Sequence, residues 1–161
     1  MEIKKLAENQ TTKYVIIGAI GVVALSIAYF GILNPLFKWT GIKDSEVDKT
    51  AQRLLGVAKT QEMWKPTYYK GRENQISFQN KGTESSNIAK NIYDSFSWTG
   101  DNETKINSML GLIRTKADLS YVVWQYNNKY KKDLLTELFD RLSSQEFVIA
   151  MGKVSNLKTL L

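Results

Sequence analysis

The hydrophobic pattern of this chain changes character once, near residue 38. Before that point, residues 14–37 form a run without a single formally charged side chain, flanked by Lys13 and Lys38. A hydrocarbon core of about 30 Å takes roughly 20 residues at about 1.5 Å each, so the run is expected to form one membrane-spanning helix even with a bend at Pro35. Tyr14, Phe37 and Trp39 fall where interfacial aromatics belong, and Lys13 and Lys38 where flanking cations belong. The competing reading is a cleavable signal with Lys4, Lys5 and Lys13 as its positive stretch. Against it, the run is longer than a usual signal core and ends without a small-x-small cleavage site. Basic residues on both flanks leave the orientation open, with a lean towards a C-terminal domain facing away from the cytoplasm. Ala24, Ala28 and Gly31 leave room for self-association through the span, although no GxxxG pair is present.

Beyond residue 38 the apolar positions take up helical spacing. Val47, Ala51, Leu54, Leu55 and Ala58 predict a juxtamembrane helix over 44–60, opened by Asp44 and Ser45. Pro66 then argues against continuing it, and residues 63–69 read as an extended arm carrying Trp64, Tyr68 and Tyr69. Those three rings either dock onto the domain or form a partner-binding surface. Residues 70–86 are polar, with Ile76 and Phe78 as anchors, and read as a packed loop. From Ile88 the periodicity strengthens. Ile88, Ile92 and Phe96 mark one helix; Ile106, Met109, Leu110 and Ile113 a second; Leu119, Val122, Val123, Tyr126 and Tyr130 a third; Leu134, Leu135, Leu138, Phe139 and Leu142 a fourth. Capping-box patterns stand at Thr115–Asp118 and Ser143–Glu146, the latter opening a fifth helix through Phe147, Val148 and Met151 with Gly152 as its expected stop. The predicted organisation is an N-terminal tail (1–13), a transmembrane helix (14–37), a juxtamembrane helix, aromatic arm and polar loop (38–87), and a helical domain (88–161). Helices this short are stable only when packed together, so the expected fold class is all-α, a small bundle behind one transmembrane helix.

Composition narrows the chemistry. The 161 residues contain no Cys and no His, which removes disulfides, thiolate chemistry, zinc fingers, the usual catalytic triads and the side chain that titrates near neutrality. The net charge of +6 is spread among acidic neighbours, with Lys129, Lys131 and Lys132 as the densest basic group. No motif directs that charge to nucleic acid, and none is expected as a partner.

A family resemblance rests on particular residues. Ala89, Ile92 and Tyr93, the run Thr99-Gly100-Asp101-Asn102-Glu103, Ile106, Met109 and Leu110, and above all YNNKYKKDLLTELFDRLS over 126–143 together resemble a single annexin repeat spanning 88–152. Single repeats of this kind also resemble parts of proteins encoded by Bacteroidota and their viruses. The resemblance implies a helical fold and an interaction module. Annexins bind calcium through a Gly-x-Gly-Thr loop and a later acidic side chain; this chain has Ser97-Trp98-Thr99-Gly100-Asp101 for the loop and Arg141 at the position similar to the carboxylate. A cation there would repel calcium, so no metal and no cofactor is expected.

Enzymatic readings must rest on carboxylates. Glu103 after Trp98 is the best candidate, as the acid of a membrane-anchored cell-wall hydrolase for entry or lysis. The opposing reading is that an acidic residue in the first turn of a helix is ordinary dipole chemistry. The favoured expectation is a non-enzymatic single-pass protein acting as a structural anchor or interaction module at the bilayer surface. A minor virion protein tying an internal membrane to a capsid, or a bacterial envelope adaptor, would fit. Its expected partners are the lipid bilayer and another membrane or capsid protein.

Overall fold

A computed structural model describes residues 44–96 and 100–159. The expected membrane-spanning run and its interface residues Lys13, Tyr14, Phe37, Lys38 and Trp39 lie outside the described residues. Among the described residues, no helix is long and apolar enough to cross a membrane.

The described part is all-α. Its helices are α1 (Asp44–Thr60), α2 (Lys81–Ser95), α3 (Glu103–Gly111), α4 (Lys116–Tyr130), α5 (Leu134–Arg141) and α6 (Ser144–Val154), with short 3-10 turns at Glu62–Trp64 and Glu73–Gln75. Extended pairing among the described residues is limited to a bridge between Thr115 and Lys158, where the Lys116 N–H meets the Lys158 carbonyl at 3.0 Å.

Each helix buries one stripe. Helix α2 packs on α3 and α4, α1 on α6 and α5, and α3 on α6. Where those stripes meet, Ile92, Ile106, Leu110, Leu119, Val122, Leu138, Phe147 and Val154 are fully enclosed. Burying a side chain of this size is worth about 1.5–3 kcal/mol, far more than helix propensity, so packing decides which segments stay helical. Phe139 adds an edge-to-face contact on Phe147, with centroids 5.1 Å apart.

Five of the helix starts carry side-chain caps. Asn80, Asn102 and Asp133 each accept from the N–H three residues on. The two predicted capping boxes, Thr115 with Asp118 and Ser143 with Glu146, are both formed reciprocally. Such caps satisfy N–H groups that the helix cannot.

Three local expectations are corrected. Helix α2 begins at Lys81, not near Ile88, because the Asn80 cap and the buried Ser85 allow polar residues and Gly82 to form its first turns. Helix α6 runs through Gly152 to Val154; full burial of Val154 outweighs the penalty of about 1 kcal/mol for a helical glycine. The stretch after α1 is not extended. It is a chain of tight turns, in which N–H groups of Trp64, Lys65, Tyr68, Lys70, Arg72 and Gln75 each reach the carbonyl three residues back. Pro66 fits the second position of the turn closed by Tyr68, where its fixed φ is an advantage and its missing N–H costs nothing.

Candidate interaction surface

The aromatic arm is fastened to α4 by one hydroxyl. Ser120, fully buried, donates to the Lys65 carbonyl at 2.6 Å and accepts from the Tyr69 N–H at 3.0 Å. This fixes both ends of the Pro66 turn against the helix. Trp64 is drawn inside, only 5% exposed, so it faces the core; its indole N–H has no hydrogen-bond partner. Tyr68 and Tyr69 remain half-buried. Of the three rings expected to meet a partner, these two present surface to solvent.

Two residues missed by sequence reasoning join them. Tyr121 and Trp124 stack nearly parallel, 5° apart with centroids at 5.5 Å, and Tyr69 tilts onto both at 4.8 and 5.9 Å. They lie three apart on α4, on a face distinct from the stripe of Leu119, Val122, Val123 and Tyr126; that off-stripe spacing was the available signal. On the other side of Tyr68, the Arg72 guanidinium sits 4.4 Å from the ring centre and donates to the Tyr68 carbonyl at 3.0 Å. Burial, followed by the neighbouring Tyr121 and Glu73, holds the Tyr69 hydroxyl above its ordinary pKa. The ladder offers large rings with limited rotamer freedom and polar tips, a composition common at protein interfaces.

A second aromatic group closes the other end of α4. Tyr93 and Tyr130 stack face to face at 3.8 Å and 2°, with Lys132 and Lys129 each near one ring. Beneath them, buried Tyr126 donates to Glu137 at 3.0 Å, and Lys132 pairs with the same carboxylate. Arg141 binds Asp101 through Nη2 at 2.7 Å and Nε at 3.3 Å, tying the end of α5 to the loop before α3. The Asp101 carboxylate raises the Arg141 pKa above its ordinary value.

Glu103 opens α3 directly after the Asn102 cap and makes no side-chain hydrogen bond or ion pair among the described residues. Its position matches a residue placed for the helix dipole. Among the described residues, no group of three or more His, Cys, Asp or Glu side chains could hold a metal ion. No family model, curated protein or solved structure matches the chain.

Proposed function

We propose that the chain is a single-pass membrane protein whose helical domain makes protein contacts at the bilayer surface as a structural anchor or interaction module, without catalysis. The observation that carries this reading is the charge-free run of residues 14–37 between Lys13 and Lys38, placed ahead of an all-α domain. The Tyr69, Tyr121 and Trp124 ladder, with Tyr68 and Arg72 next to it in the chain, supplies a surface suited to a protein partner. A partner in a virion shell or a bacterial envelope fits an anchored domain of this size.

The likeness of residues 88–152 to one annexin repeat supports the same role, because α2 to α6 make a self-capped helical unit across that span. The pairing of Arg141 with Asp101 supports contact-making that needs no calcium, since a guanidinium already satisfies the loop carboxylate.

The test has two parts. The full chain should resist carbonate extraction and float with lipid vesicles, and joint Val22→Arg and Val23→Arg should release it; a protein extracted as readily as the variant would sink the anchor. Lysine cross-linking with mass spectrometry on the native membrane or particle should give repeated links from the helical domain to one abundant protein. Scattered links would remove the anchoring role.

A further inference from the structure

An open groove of about 510 Å³ lies between α2, residues 77–79 and the junction of α3 with α4. Its floor is apolar, with Phe78 and Ile88 buried beneath it and half-buried Met109 beside them. Leu112 stands at the lip, 52% exposed, the most exposed of the large hydrophobic side chains among the described residues. A leucine so placed gains by being covered.

Several polar groups around that floor are unspent. Arg114 lines the groove and makes no ion pair among the described residues. Glu84, the acidic side chain on the opposite wall, is already committed to the Asn80 N–H at 2.7 Å. The side-chain amides of Gln79 and Asn87, and the backbone N–H groups of Phe78 and Gln79, make no hydrogen bond among the described residues. The run 76–78 is neither helix nor turn, and Ile76 enters it in extended conformation.

The walls are held at a set distance. The Ser77 N–H on one side and the Arg114 N–H on the other both donate to the Asp118 carboxylate, at 2.7 and 3.2 Å. A buried carboxylate bound by both walls makes the groove largely preformed, which lowers the cost of filling it.

We propose that this groove receives an extended peptide segment of a partner protein that carries a carboxylate next to large apolar side chains. Arg114 pairs with the carboxylate, Leu112 and the Phe78 and Ile88 floor cover the apolar groups, and the free backbone N–H groups with the Gln79 and Asn87 amides meet the peptide main chain. Arg114 is the one cation lining the groove and has no ion pair among the described residues, so it calls for a carboxylate on the occupant at its own end, while Glu84 keeps its negative charge on the Asn80 N–H. The unused backbone donors favour a peptide over a simple amphiphile. The groove is separate from the tyrosine ladder and does not depend on the membrane reading.

The test uses the full chain in detergent micelles and fluorescence anisotropy of a labelled probe, Gly-Ser-Leu-Glu-Leu-Asp-Gly-Ser. Two controls replace its acids by Gln and Asn, or its leucines by Ser. The acidic apolar probe should bind and each control should bind roughly tenfold more weakly, the order expected for one charged hydrogen bond or one buried side chain. Arg114→Gln should remove the preference for acid over amide, and Leu112→Ser should weaken binding of the parent probe. Both side chains are exposed, and the Arg114 N–H that bonds Asp118 is untouched by substitution, so both variants should keep the helical circular dichroism of the parent. Equal binding of acidic and amide probes, no binding of the acidic probe, or insensitivity to Arg114→Gln would overturn the proposal. So would displacement by decanoate at the same concentration as unlabelled peptide, which would make this a fatty-carboxylate site. A dimer that Arg114→Gln dissociates, with no probe bound, would make it a contact between copies and equally overturn it.

Discussion

Ser77 and Asp118 are joined twice: the Ser77 N–H and hydroxyl donate to the two oxygens of the Asp118 carboxylate at 2.7 and 2.6 Å. The same carboxylate accepts from the N–H groups of Arg114 and Thr115 at 3.2 and 3.0 Å, and Asp118 is fully buried. A charge removed from water persists when it is bound by several donors. Here the donors come from the start of α4 and from a segment 41 residues earlier, so one side chain both caps a helix and closes the domain.

Asp118→Ala should therefore cost more than an ordinary cap. It strands several donors as well as losing the cap, and about 3 kcal/mol is expected. Ser77→Ala keeps its backbone bond and should cost about 1 kcal/mol. Chemical denaturation of the full chain followed by tryptophan fluorescence measures both. Equal costs would mean that the carboxylate acts only through the Ser77 hydroxyl.

Two rings of the arm, Trp64 and Tyr68, should separate by function. Trp64→Ala should destabilise by about 3–5 kcal/mol, as expected for a large buried ring, whereas Trp64→Phe keeps most of the ring and removes an indole N–H that has no partner, and should cost about 1 kcal/mol or less. Tyr68→Ala, which removes a half-buried ring covered by Arg72, should leave stability within about 1 kcal/mol but reduce cross-linking to the proposed partner. Unchanged cross-linking would return Tyr68 to a packing role.

The helices of the C-terminal half were legible because their apolar residues recur with the helical period and because Thr115 and Ser143 begin capping boxes with their own N3 partners. What escaped was set by distance or by lack of period. Asp118 reads as a cap from its spacing to Thr115, but nothing local places Ser77 beside it. The turns after α1 close over three residues and leave no periodic mark, so Pro66 suggested extension where it sits in a turn. Tyr121 and Trp124 fall outside the buried stripe of α4 and gain their meaning only when Tyr69 is brought to them. From the sequence Arg141 is only a cation that would repel a metal; its bond to Asp101 joins two segments 40 residues apart.

Tyr126 gives a pH dependence with a definite sign. Burial first, then the Glu137 carboxylate, raise its pKa far above the ordinary value of 10.0. The folded state holds the proton more tightly than the unfolded state. Its contribution is thus fully present below about pH 10 and is lost progressively as pH rises above that value, where the unfolded tyrosine ionises and the folded one does not. Unfolding free energy should fall with pH above about 10, and Tyr126→Phe should flatten that fall while itself costing about 1 kcal/mol for the lost bond to Glu137. An alkaline slope identical in Tyr126→Phe would assign it to other groups.

Lys131 is the last case, and here the expected change is a gain. It caps α4 with φ at 58° in the left-handed region, the sole non-glycine residue with positive φ among the described residues, and its N–H closes on the Asn127 carbonyl at 2.9 Å. A side chain in that region costs roughly 1–2 kcal/mol, which glycine avoids. Part of the gain is returned because glycine gives the unfolded chain more freedom. Lys131 is exposed and makes no ion pair among the described residues, so no specific contact is lost. Lys131→Gly should stabilise by about 0.5–1 kcal/mol, and Lys131→Val should destabilise by about 1 kcal/mol or more because its branched Cβ fits this region poorly. Chemical denaturation of both variants decides the point. A neutral or destabilising Lys131→Gly would show that the turn into α5 does not hold the strain its backbone angle implies.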